Sequence, residues 1–437
     1  MSVCAREKKI VSSFTVSAEG AVMEASPFCS LPKEINHEIL CRLDVKSLAT
    51  LKLVSKYWNC FLSDPSFLRF FSQRRPCITG FFYRSSAMYD EKIRYASIDD
   101  KEEPVSDPSS PLGFLDYPAV LHNSCNGLLH WFSAWNIQFI SNPLTHKSVF
   151  LPWPFAWDEF FACGIAFDPT QSDHFHVVVI TIQSGFPPLK LSSRAFSSET
   201  FRWSENATSL AIRGQIGTPF RREAGIFLNG SIHWELKSTA ILVYDVKEKA
   251  GRIVESPLTN SPLMEVFGGV RGFSEPACLG EFFGELHYSR VLGTALRVWV
   301  KTQILSSNSG IWVQRLLIDL SPVILRDPNI RIGESEALAF LPDCRGVLLG
   351  ATGKIYAYRF DEGEVRDVCI VERNGGDCVL PRMFFPFVHS LGLFNRSPMG
   401  NTEISGSERS NWGRIRLCWN LRRLLGRSRH RIHNMEP

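Results

Sequence analysis

The chain has 437 residues, of which 44% are hydrophobic, so it can bury a sizeable core and is not globally disordered. At roughly 150 residues per domain, this length predicts about three domains, or one small and one large domain. The formal charge is +4, but nine Arg and three Glu follow residue 395, and that surplus of six leaves the rest of the chain near −2. A nucleic-acid-binding body is therefore disfavoured. No apolar run approaches the roughly 18 residues of a membrane-spanning helix.

Cysteine usage and the N-terminal segment indicate the compartment. Twelve Cys are scattered along the chain without a Cys-x-x-Cys pair, which removes the usual zinc and thioredoxin spacings. Residues 1–26 lack periodicity and are predicted to be a disordered tail. The apolar stretch within them, residues 10–16, is too short and too polar for a secretory signal peptide. We therefore expect free thiols and a cytoplasmic or nuclear location.

Residues 27–72 are predicted to form a small module of three helices. The first helix carries apolar residues at helical spacing: Ile35, Ile39, Leu40 and Leu43. Asp44 can cap the second helix. That helix carries a stripe of its own: Leu48, Leu51, Val54 and Trp58. Asp64-Pro65 begins the third, because proline at the first helical position gives up no hydrogen bond.

So small a module is near the lower size limit for independent folding. Its dense aliphatic surface indicates that part of that surface meets a partner protein. A helical cap on the larger domain is the alternative, and periodicity alone does not decide between the two.

The order of residues in this module resembles the F-box. The matching residues are Leu31-Pro32-x-Glu34-Ile35-x-x-Glu38-Ile39-Leu40-x-Arg42-Leu43-x-Val45-Lys46-Ser47-Leu48, then Val54-Ser55-Lys56-x-Trp58, then Leu62-Ser63-Asp64-Pro65-x-Phe67. The resemblance implies docking on a Skp-type adaptor, which joins a cullin–RING ubiquitin ligase. It assigns the adaptor-binding positions to Leu31, Pro32, Ile35, Ile39, Leu40, Leu43, Leu48, Leu51, Val54 and Trp58. Which of them contact the adaptor and which pack internally stays open at this point.

Residues 80–394 are predicted to be all-β. Asn126-Gly127 and Asn229-Gly230 predict type I′ hairpins, whose two central residues need positive φ. Further strands are predicted over residues 175–182, 241–246, 296–301, 312–318 and 365–371. Short, evenly punctuated strands at roughly 45–50 residues per blade favour a propeller of six or seven blades. A pair of β-sandwiches is the alternative, because the recurring Gly-x-aliphatic-His-aromatic pattern is unevenly spaced.

The same region resembles the F-box-associated region of plant F-box proteins. The motifs that carry the resemblance occur in that family's order: Cys125-Asn-Gly-Leu-Leu129, Asn142-Pro-Leu-Thr145, Gly164-Ile-Ala-Phe-Asp-Pro169, Ser198-Glu-Thr-Phe-Arg-Trp203, Leu228-Asn-Gly-Ser-Ile-His-Trp234, Val243-Tyr-Asp245 and Pro386-Phe-Val-His-Ser-Leu391. The resemblance implies a kelch-like propeller that recruits a target protein.

Little in the large domain points to catalysis. Gly-x-Ser-x-Gly, His-Glu-x-x-His and Gly-x-Gly-x-x-Gly are all missing. His174 and His176 can offer two imidazoles on one strand face, but no third metal ligand lies nearby, so no metal or cofactor is expected. Residues 152–161 concentrate five aromatics around two prolines and two acids, and are expected to form either packing between blades or a lip that binds the target. The candidate target-binding residues are Trp153, Phe155, Trp157 and Phe160.

Residues 395–437 form an Arg-rich tail. Its apolar residues can line one face of a short amphipathic helix: Trp412, Ile415, Trp419 and Leu424. Such a segment would meet an anionic membrane, an acidic partner or a nuclear import receptor. A weakly structured solubilising tail is the alternative.

The sequence as a whole predicts an α+β multidomain chain, with a three-helix F-box followed by an all-β kelch-like propeller. The implied function is that of a non-catalytic substrate-recognition subunit of an SCF-type E3 ubiquitin ligase. Its expected partners are the Skp-type adaptor, the cullin and RING subunits joined through it, and an unidentified target protein. An adaptor-bound regulator, or a propeller that binds a small ligand such as a glycan and delivers no target, is the alternative.

Overall fold

The structure is a computed structural model. It describes part of the chain, and the structural features given below are those of the described residues. The described residues are 31–73, 78–84, 93–98, 119–133, 138–145, 147–152, 160–184, 189–204, 208–212, 220, 224–236, 240–259, 277–282, 284–304, 307–321, 335–341, 345–351, 354–370 and 384–391. The chain divides into two compact units, Met1–Arg74 and Arg75–Pro437. The predicted tails, residues 1–26 and 395–437, lie outside the described residues.

The first unit contains four helices rather than the predicted three. They are α1 Lys33–Leu40, α2 Val45–Val54, α3 Lys56–Leu62 and α4 Pro65–Ser72. The second predicted helix is interrupted at Ser55, whose backbone is extended with φ −156°. The Ser55 hydroxyl accepts a hydrogen bond from the Trp58 N–H at 3.2 Å, so this residue ends α2 and caps α3.

The predicted starts of two helices are confirmed. The Asp44 carboxylate accepts the Ser47 N–H at 2.8 Å, which caps α2. The Asp64 carboxylate accepts the Ser66 N–H at 2.8 Å, and Pro65 occupies the first turn of α4. Each carboxylate satisfies a backbone donor that has no partner inside its helix. No described helix has the length and apolar character needed to cross a bilayer.

The second unit is built from antiparallel sheets that follow one another along the chain. The first sheet begins with β1 Ile78–Arg84 and β2 Ile93–Ser97. The second contains β3 Ala119–Cys125, β4 Leu128–Ser133, β5 Gln138–Asn142 and β6 Lys147–Leu151. The third contains β7 Phe160–Ala166, β8 His176–Ser184, β9 Leu189–Ser197, β10 Arg202–Trp203 and β11 Thr208–Ile212.

Three further sheets repeat the four-stranded meander. The fourth contains β12 Ile226–Leu228, β13 Ser231–Glu235, β14 Ala240–Asp245 and β15 Ala250–Glu255. The fifth contains β16 Cys278–Phe282, β17 Glu285–Leu292, β18 Ala295–Ile304 and β19 Ser307–Asp319. The sixth contains β20 Ser335–Leu341, β21 Gly346–Ala351, β22 Lys354–Arg359 and β23 Val365–Ile370.

The last described strand, β24 Phe384–Val388, returns to the first sheet. It pairs antiparallel with β1, so the first sheet combines both ends of the unit in the order β2-β1-β24. The described residues therefore form a closed ring of six sheets, blades 1 to 6. The predicted fold class is confirmed as a propeller with six blades, and the sandwich alternative is wrong.

Apolar clusters lie between consecutive blades all the way round the ring. One cluster joins each neighbouring pair, from blades 1 and 2 through to blades 5 and 6, and a further cluster joins blade 6 to blade 1. Each sheet thus buries both of its faces. The first strand of each four-stranded blade lies towards the axis, where β3 contacts β7 and β24, β12 contacts β7 and β16, and β16 contacts β20.

The predicted Asn-Gly turns have the expected backbone and also join blades. Asn126 and Gly127 have φ of 44° and 85°, and Asn229 and Gly230 have φ of 47° and 77°. The Asn126 amide donates to the Phe167 carbonyl of blade 3 at 2.7 Å. The Asn229 amide donates to the Gly284 carbonyl of blade 5 at 3.1 Å.

Tryptophan N–H groups form a second set of links between blades. Trp203 on the outer edge of blade 3 donates to the Pro152 carbonyl, which follows blade 2, at 2.6 Å. Trp312 on the outer strand of blade 5 donates to the Glu255 carbonyl of blade 4 at 2.9 Å. These two bonds are equivalent, since each joins an outer strand to the end of the preceding outer strand.

Asn142 fastens the returning end of the chain to blade 2. Its amide donates to the Ser390 carbonyl at 2.9 Å, and its side-chain oxygen accepts the N–H groups of Leu144 and Thr145. The side chain is fully buried. In blade 4, Asp245 occupies the equivalent place and accepts the N–H groups two and three residues on. Asn142 therefore caps a turn, as Asp245 does, and in addition joins blade 2 to the segment that follows β24.

Substituting Asn142→Asp separates these two roles. The carboxylate keeps the acceptor for the turn but loses the donor to Ser390, and it brings a charge into a buried position. We expect a loss of about 2–4 kcal/mol in the free energy of unfolding, measured by chemical denaturation at pH 7.5, with faster hydrogen exchange in β24. The matched exchange Asp245→Asn should change stability by less than about 0.5 kcal/mol. Equal effects of the two substitutions would contradict this role of Asn142.

Recurring histidines are held by hydrogen bonds within their own blades. The His130 ring donates to the Gln138 side-chain oxygen at 2.9 Å, and the His233 ring donates to the Ile226 carbonyl at 3.4 Å. Burial lowers the pKa of each of these two histidines to about 4, and the hydrogen bonds oppose that shift only in part. Both rings are therefore neutral inside the fold at pH values where an unfolded chain protonates them.

This difference between the folded and the unfolded pKa of the two histidines predicts a propeller that loses stability in acid. Because the folded pKa lies below the ordinary value of 6.5, the stabilising contribution is complete above pH 6.5 and is lost as the pH falls towards 4. Because protonation of the unfolded chain is linked to unfolding, His130 alone should lower the free energy of unfolding by about 2 kcal/mol at pH 5 relative to pH 7.5. We expect His130→Gln to reduce the fall in unfolding free energy between those pH values by that amount. An unchanged pH dependence would show that His130 is not buried in the neutral form.

Candidate functional site

The helical module leaves a set of large apolar side chains exposed. Such residues are normally buried, and their concentration on a unit of four short helices marks an interaction surface. The exposed set consists of Leu31, Ile35, Leu43, Leu53, Val54, Tyr57 and Phe70. We refer to these seven residues as the exposed apolar set.

Two neighbouring stripes divide α1 into a buried and an exposed side. Asn36 and Leu40 are buried, and they are four residues apart, so they share one side of the helix. Ile35 and Ile39 form the next stripe, where Ile35 is 47% exposed and Ile39 is half-buried. The helix is thus anchored by one stripe and presents the other.

The helix α2 has the same division with a larger exposed side. Leu48 is fully buried, whereas Leu53 is 87% exposed and Val54 is 69% exposed. At 3.6 residues per turn, Leu53 lies about 140° and Val54 about 120° round the helix from Leu48, in opposite senses. The end of α2 therefore carries two aliphatic side chains directed away from the buried stripe.

Aromatic contacts hold the helices together beneath this surface. The His37 ring of α1 lies 5.4 Å from the Phe61 ring of α3, and 5.3 and 5.4 Å from the Phe67 and Phe70 rings of α4. Phe67 is fully buried. The exposed apolar set is thus presented by a packed framework, and two of its members, Tyr57 and Phe70, also make ring contacts within that framework.

Charged groups contribute little to this surface. Arg42 and Glu38 form an ion pair at 3.4 Å, but both side chains are exposed, and such pairs on a helix stabilise by only about 0.3–0.5 kcal/mol. A hydrogen bond from the Ser66 hydroxyl is the main cause that lowers the pKa of Asp64, which is occupied in capping α4. The chemistry that this surface offers is therefore the burial of apolar side chains.

The structure divides the ten predicted adaptor-binding residues into three groups. Leu40 and Leu48 are buried and serve internal packing, so they are not available to a partner in this conformation. Five residues are exposed: Leu31, Pro32, Ile35, Leu43 and Val54. Three are half-buried: Ile39, Leu51 and Trp58.

Three members of the exposed apolar set were not predicted from the sequence: Leu53, Tyr57 and Phe70. Leu53 does not fall on the stripe of Leu48, Leu51 and Val54, so helical periodicity did not select it. A leucine on the polar side of a helix is itself a signal, because a surface helix usually carries polar residues there.

Most of the predicted target-binding residues of the propeller fall in a segment outside the described residues. Trp153, Phe155 and Trp157 lie outside the described residues, and Phe160 is the first residue of β7. Their involvement in target binding stays a prediction.

Known proteins match both units. Residues 28–74 match the F-box-like family. A putative F-box/kelch-repeat protein of Arabidopsis thaliana is 25% identical over 242 residues, which cover 53% of this chain and 52% of that relative. A putative F-box protein of the same plant is 26% identical over 239 residues, which cover 53% of this chain and 61% of the relative. An F-box protein of this plant is 25% identical over 322 residues, which cover 67% of this chain and 71% of the relative.

These matches agree with the helices and strands described above. The chain carries an F-box-like domain followed by a six-bladed β-propeller. It is similar in sequence to plant F-box and F-box/kelch-repeat proteins, as the sequence motifs predicted. The aligned part of the chain spans about half the length of the first of these relatives and about three fifths of the second.

The buried and exposed leucines of α2 give a matched test of this surface. Leu48→Ala should destabilise the helical unit by about 2–5 kcal/mol, because it removes a buried side chain and leaves a cavity. Leu53→Ala should change stability by less than about 0.5 kcal/mol. Hydrogen exchange of the four helices in the full chain measures both effects. Similar protection losses in the two variants would show that Leu53 is buried in solution.

Proposed function

We propose that this protein is the substrate-recognition subunit of an SCF-type ubiquitin ligase, with the exposed apolar set of the helical unit as its docking surface for a Skp-type adaptor. The observation that carries the proposal is the exposure of aliphatic side chains at the F-box positions. Leu31, Pro32, Ile35 and Leu43 belong to the F-box motif and are exposed. In this arrangement the adaptor would bind the residues that the four helices leave uncovered.

The exposed fractions of four side chains set the scale of the binding energy. Leu31, Ile35, Leu43 and Val54 are 38%, 47%, 38% and 69% exposed, which together is about two fully exposed side chains. Covering them would contribute on the order of 3–6 kcal/mol, against association costs of about 4–15 kcal/mol. The additional contacts of Leu53 and of the half-buried residues would then determine the net affinity.

The propeller would provide the target-binding half of the receptor. This assignment is supported by the F-box/kelch-repeat relatives and by the closed ring, which presents many loops on a rigid support. The chain would contribute no catalytic group of its own. The ligase would gain rate because the bound target is held near the recruited enzyme, which replaces a chance encounter by a fixed orientation. A cytoplasmic or nuclear location stays a prediction.

Adaptor binding is tested by the double substitution Leu31→Ala and Pro32→Ala. Because two exposed side chains lose buried contact area at the interface, we expect the affinity of the full chain for the Skp-type adaptor to fall at least about tenfold. Isothermal titration calorimetry with the purified adaptor measures the change. Unfolding of both units should be unaffected, since neither side chain is buried.

The matched control replaces two exposed apolar side chains of the propeller, Ile311→Ala and Leu317→Ala, and should leave adaptor affinity unchanged. In a reconstituted ligase, the first double variant should also lose ubiquitin transfer to any propeller-bound target, whereas the control should retain it. Undiminished adaptor binding by the first variant would refute the docking surface. Retained adaptor binding without transfer to a bound protein would refute the receptor role.

A further inference from the structure

Two cationic side chains lie at the interface between blades 4 and 5. Arg252 of β15 is directly opposite Val243 of β14, and Lys301 of β18 is directly opposite Trp312 of β19. Val243 and Trp312 belong to the apolar cluster between these two blades. Because residues directly opposite each other on neighbouring strands share one face of the sheet, Arg252 and Lys301 lie on the two faces that meet. We refer to Arg252 and Lys301 as the interface cations.

One of the interface cations is held in place by packing. Lys301 is half-buried, and its ammonium lies over the Trp312 ring, with 5.8 Å between Nζ and the ring centroid. A cation within about 6 Å of a tryptophan ring is attracted to the face of that ring. The ring is itself held, since its N–H donates to the Glu255 carbonyl of blade 4. The Arg252 guanidinium is exposed, so one cation is positioned by the fold and the other is open to solvent.

The interface cations are close enough to affect each other. Burial lowers the pKa of Lys301, and the positive charge of Arg252 lowers it further. His233 of β13 lies opposite Val243 and therefore shares the face of Arg252. Burial is the main cause that lowers the pKa of His233, and the charges of Lys301 and Arg252 lower it further. Positive potential is thus concentrated at this interface.

No carboxylate pairs with the interface cations. The ion pairs found among the described residues include neither Lys301 nor Arg252. Glu235 is on the same face of β13 as His233, but its carboxylate lies 3.9 Å from the Arg290 guanidinium and accepts the Ala277 N–H.

The acidic residue of β15 does not supply the missing charge either. Glu255 is one residue beyond Val254, which packs in the apolar cluster between blades 4 and 5, so alternation along the strand places the Glu255 side chain on the opposite face. A charge that is partly removed from water without an opposite charge beside it is unfavourable. An anion bound at this interface would remove that cost.

We propose that the interface between blades 4 and 5 is a binding site for one anionic group, a carboxylate or a phosphate. The Arg252 guanidinium would donate two N–H groups to its oxygens, a geometry that suits both anions. The Lys301 ammonium would supply a second, positioned charge. Two sources share this chemistry: a free small anion, and an acidic or phosphorylated side chain of a bound target. The second source rests on the proposed receptor function, whereas the anion site itself does not.

The test uses the full chain with inorganic phosphate and acetate as probes, acetamide as the neutral analogue, and chloride to keep the ionic strength constant. Binding is followed through the nuclear magnetic resonance signal of the Trp312 indole N–H, which is assigned by its loss in Trp312→Phe. Because this ring lies beside the Lys301 ammonium, we expect a saturable shift with phosphate and with acetate, and none with acetamide.

Two substitutions remove one charge each. Lys301→Gln and Arg252→Gln should each weaken phosphate binding at least about tenfold, because each takes away one charged donor. The matched control is Arg315→Gln, which removes an exposed cation of β19. Besides burial, the Arg315 charge lowers the pKa of His287, whose ring lies 5.5 Å from the Phe340 ring of blade 6. This control therefore alters the other side of blade 5 and should leave phosphate binding unchanged.

The variants also cover a failure to fold. If Lys301→Gln unfolds early, the exposed pair Arg252→Gln and Arg315→Gln alone decides. Absence of a saturable shift with phosphate, an equal shift with acetamide, or equal phosphate affinities of the Arg252→Gln and Arg315→Gln variants would overturn the proposal.

Capped amino acids distinguish the two sources. N-acetyl-glutamate N-methylamide and N-acetyl-phosphoserine N-methylamide carry the same anionic groups on a peptide backbone. Binding as tight as that of acetate and phosphate would support the site and assign it to a target side chain. Binding of the free anions alone would support the site and assign it to a small anion. Adaptor binding is measured separately through Leu31 and Pro32, so failure of one proposal leaves the other intact.

Discussion

The propeller depends on the pairing of β24 with β1, because that contact closes the ring. An open array of six blades would leave two apolar sheet faces uncovered, one on blade 1 and one on blade 6. Closure brings together residues far apart in sequence, such as Ser124, whose hydroxyl donates to the Pro386 carbonyl at 2.7 Å across 262 positions. The entropy cost of so long a loop rises only slowly with its length, whereas closure covers the faces of both end blades. In the closed ring, every blade then has a neighbouring blade packed on each of its two faces.

The motifs that resemble the F-box-associated region are mainly devices for joining blades. Asn126 and Asn142 bind carbonyls of other blades, and Trp234 of blade 4 donates to the Cys163 carbonyl of blade 3 at 3.1 Å. A side chain at Gly164 would meet Ile232 of the next blade at 2.5 Å, so only glycine allows the blades to approach so closely. Since these residues hold the ring together, recognition of a target under the proposed receptor function would come from other positions of the propeller.

Local signals in the sequence were sufficient for turns, helix starts and the class of fold. The Asn126-Gly127 turn and the Asp64 cap each depend on residues within three positions, and both were predicted. The break at Ser55 was missed because the apolar stripe continues through it, while the break itself depends on one hydroxyl. The division of the F-box leucines into buried Leu40 and exposed Leu43 was open because both fit one helical stripe. Asn123 and Asn142 bind carbonyls 40 and 248 positions away, which no local pattern encodes.

The exposed leucine at the end of α2 departs from the rules of stable packing. Removal of the Leu53 side chain should cost the fold almost nothing, because this side chain is 87% exposed. A large apolar side chain left in water does not stabilise the free protein. Departures of this kind concentrate at functional sites, where a partner supplies the missing contact, and this agrees with the docking surface proposed above.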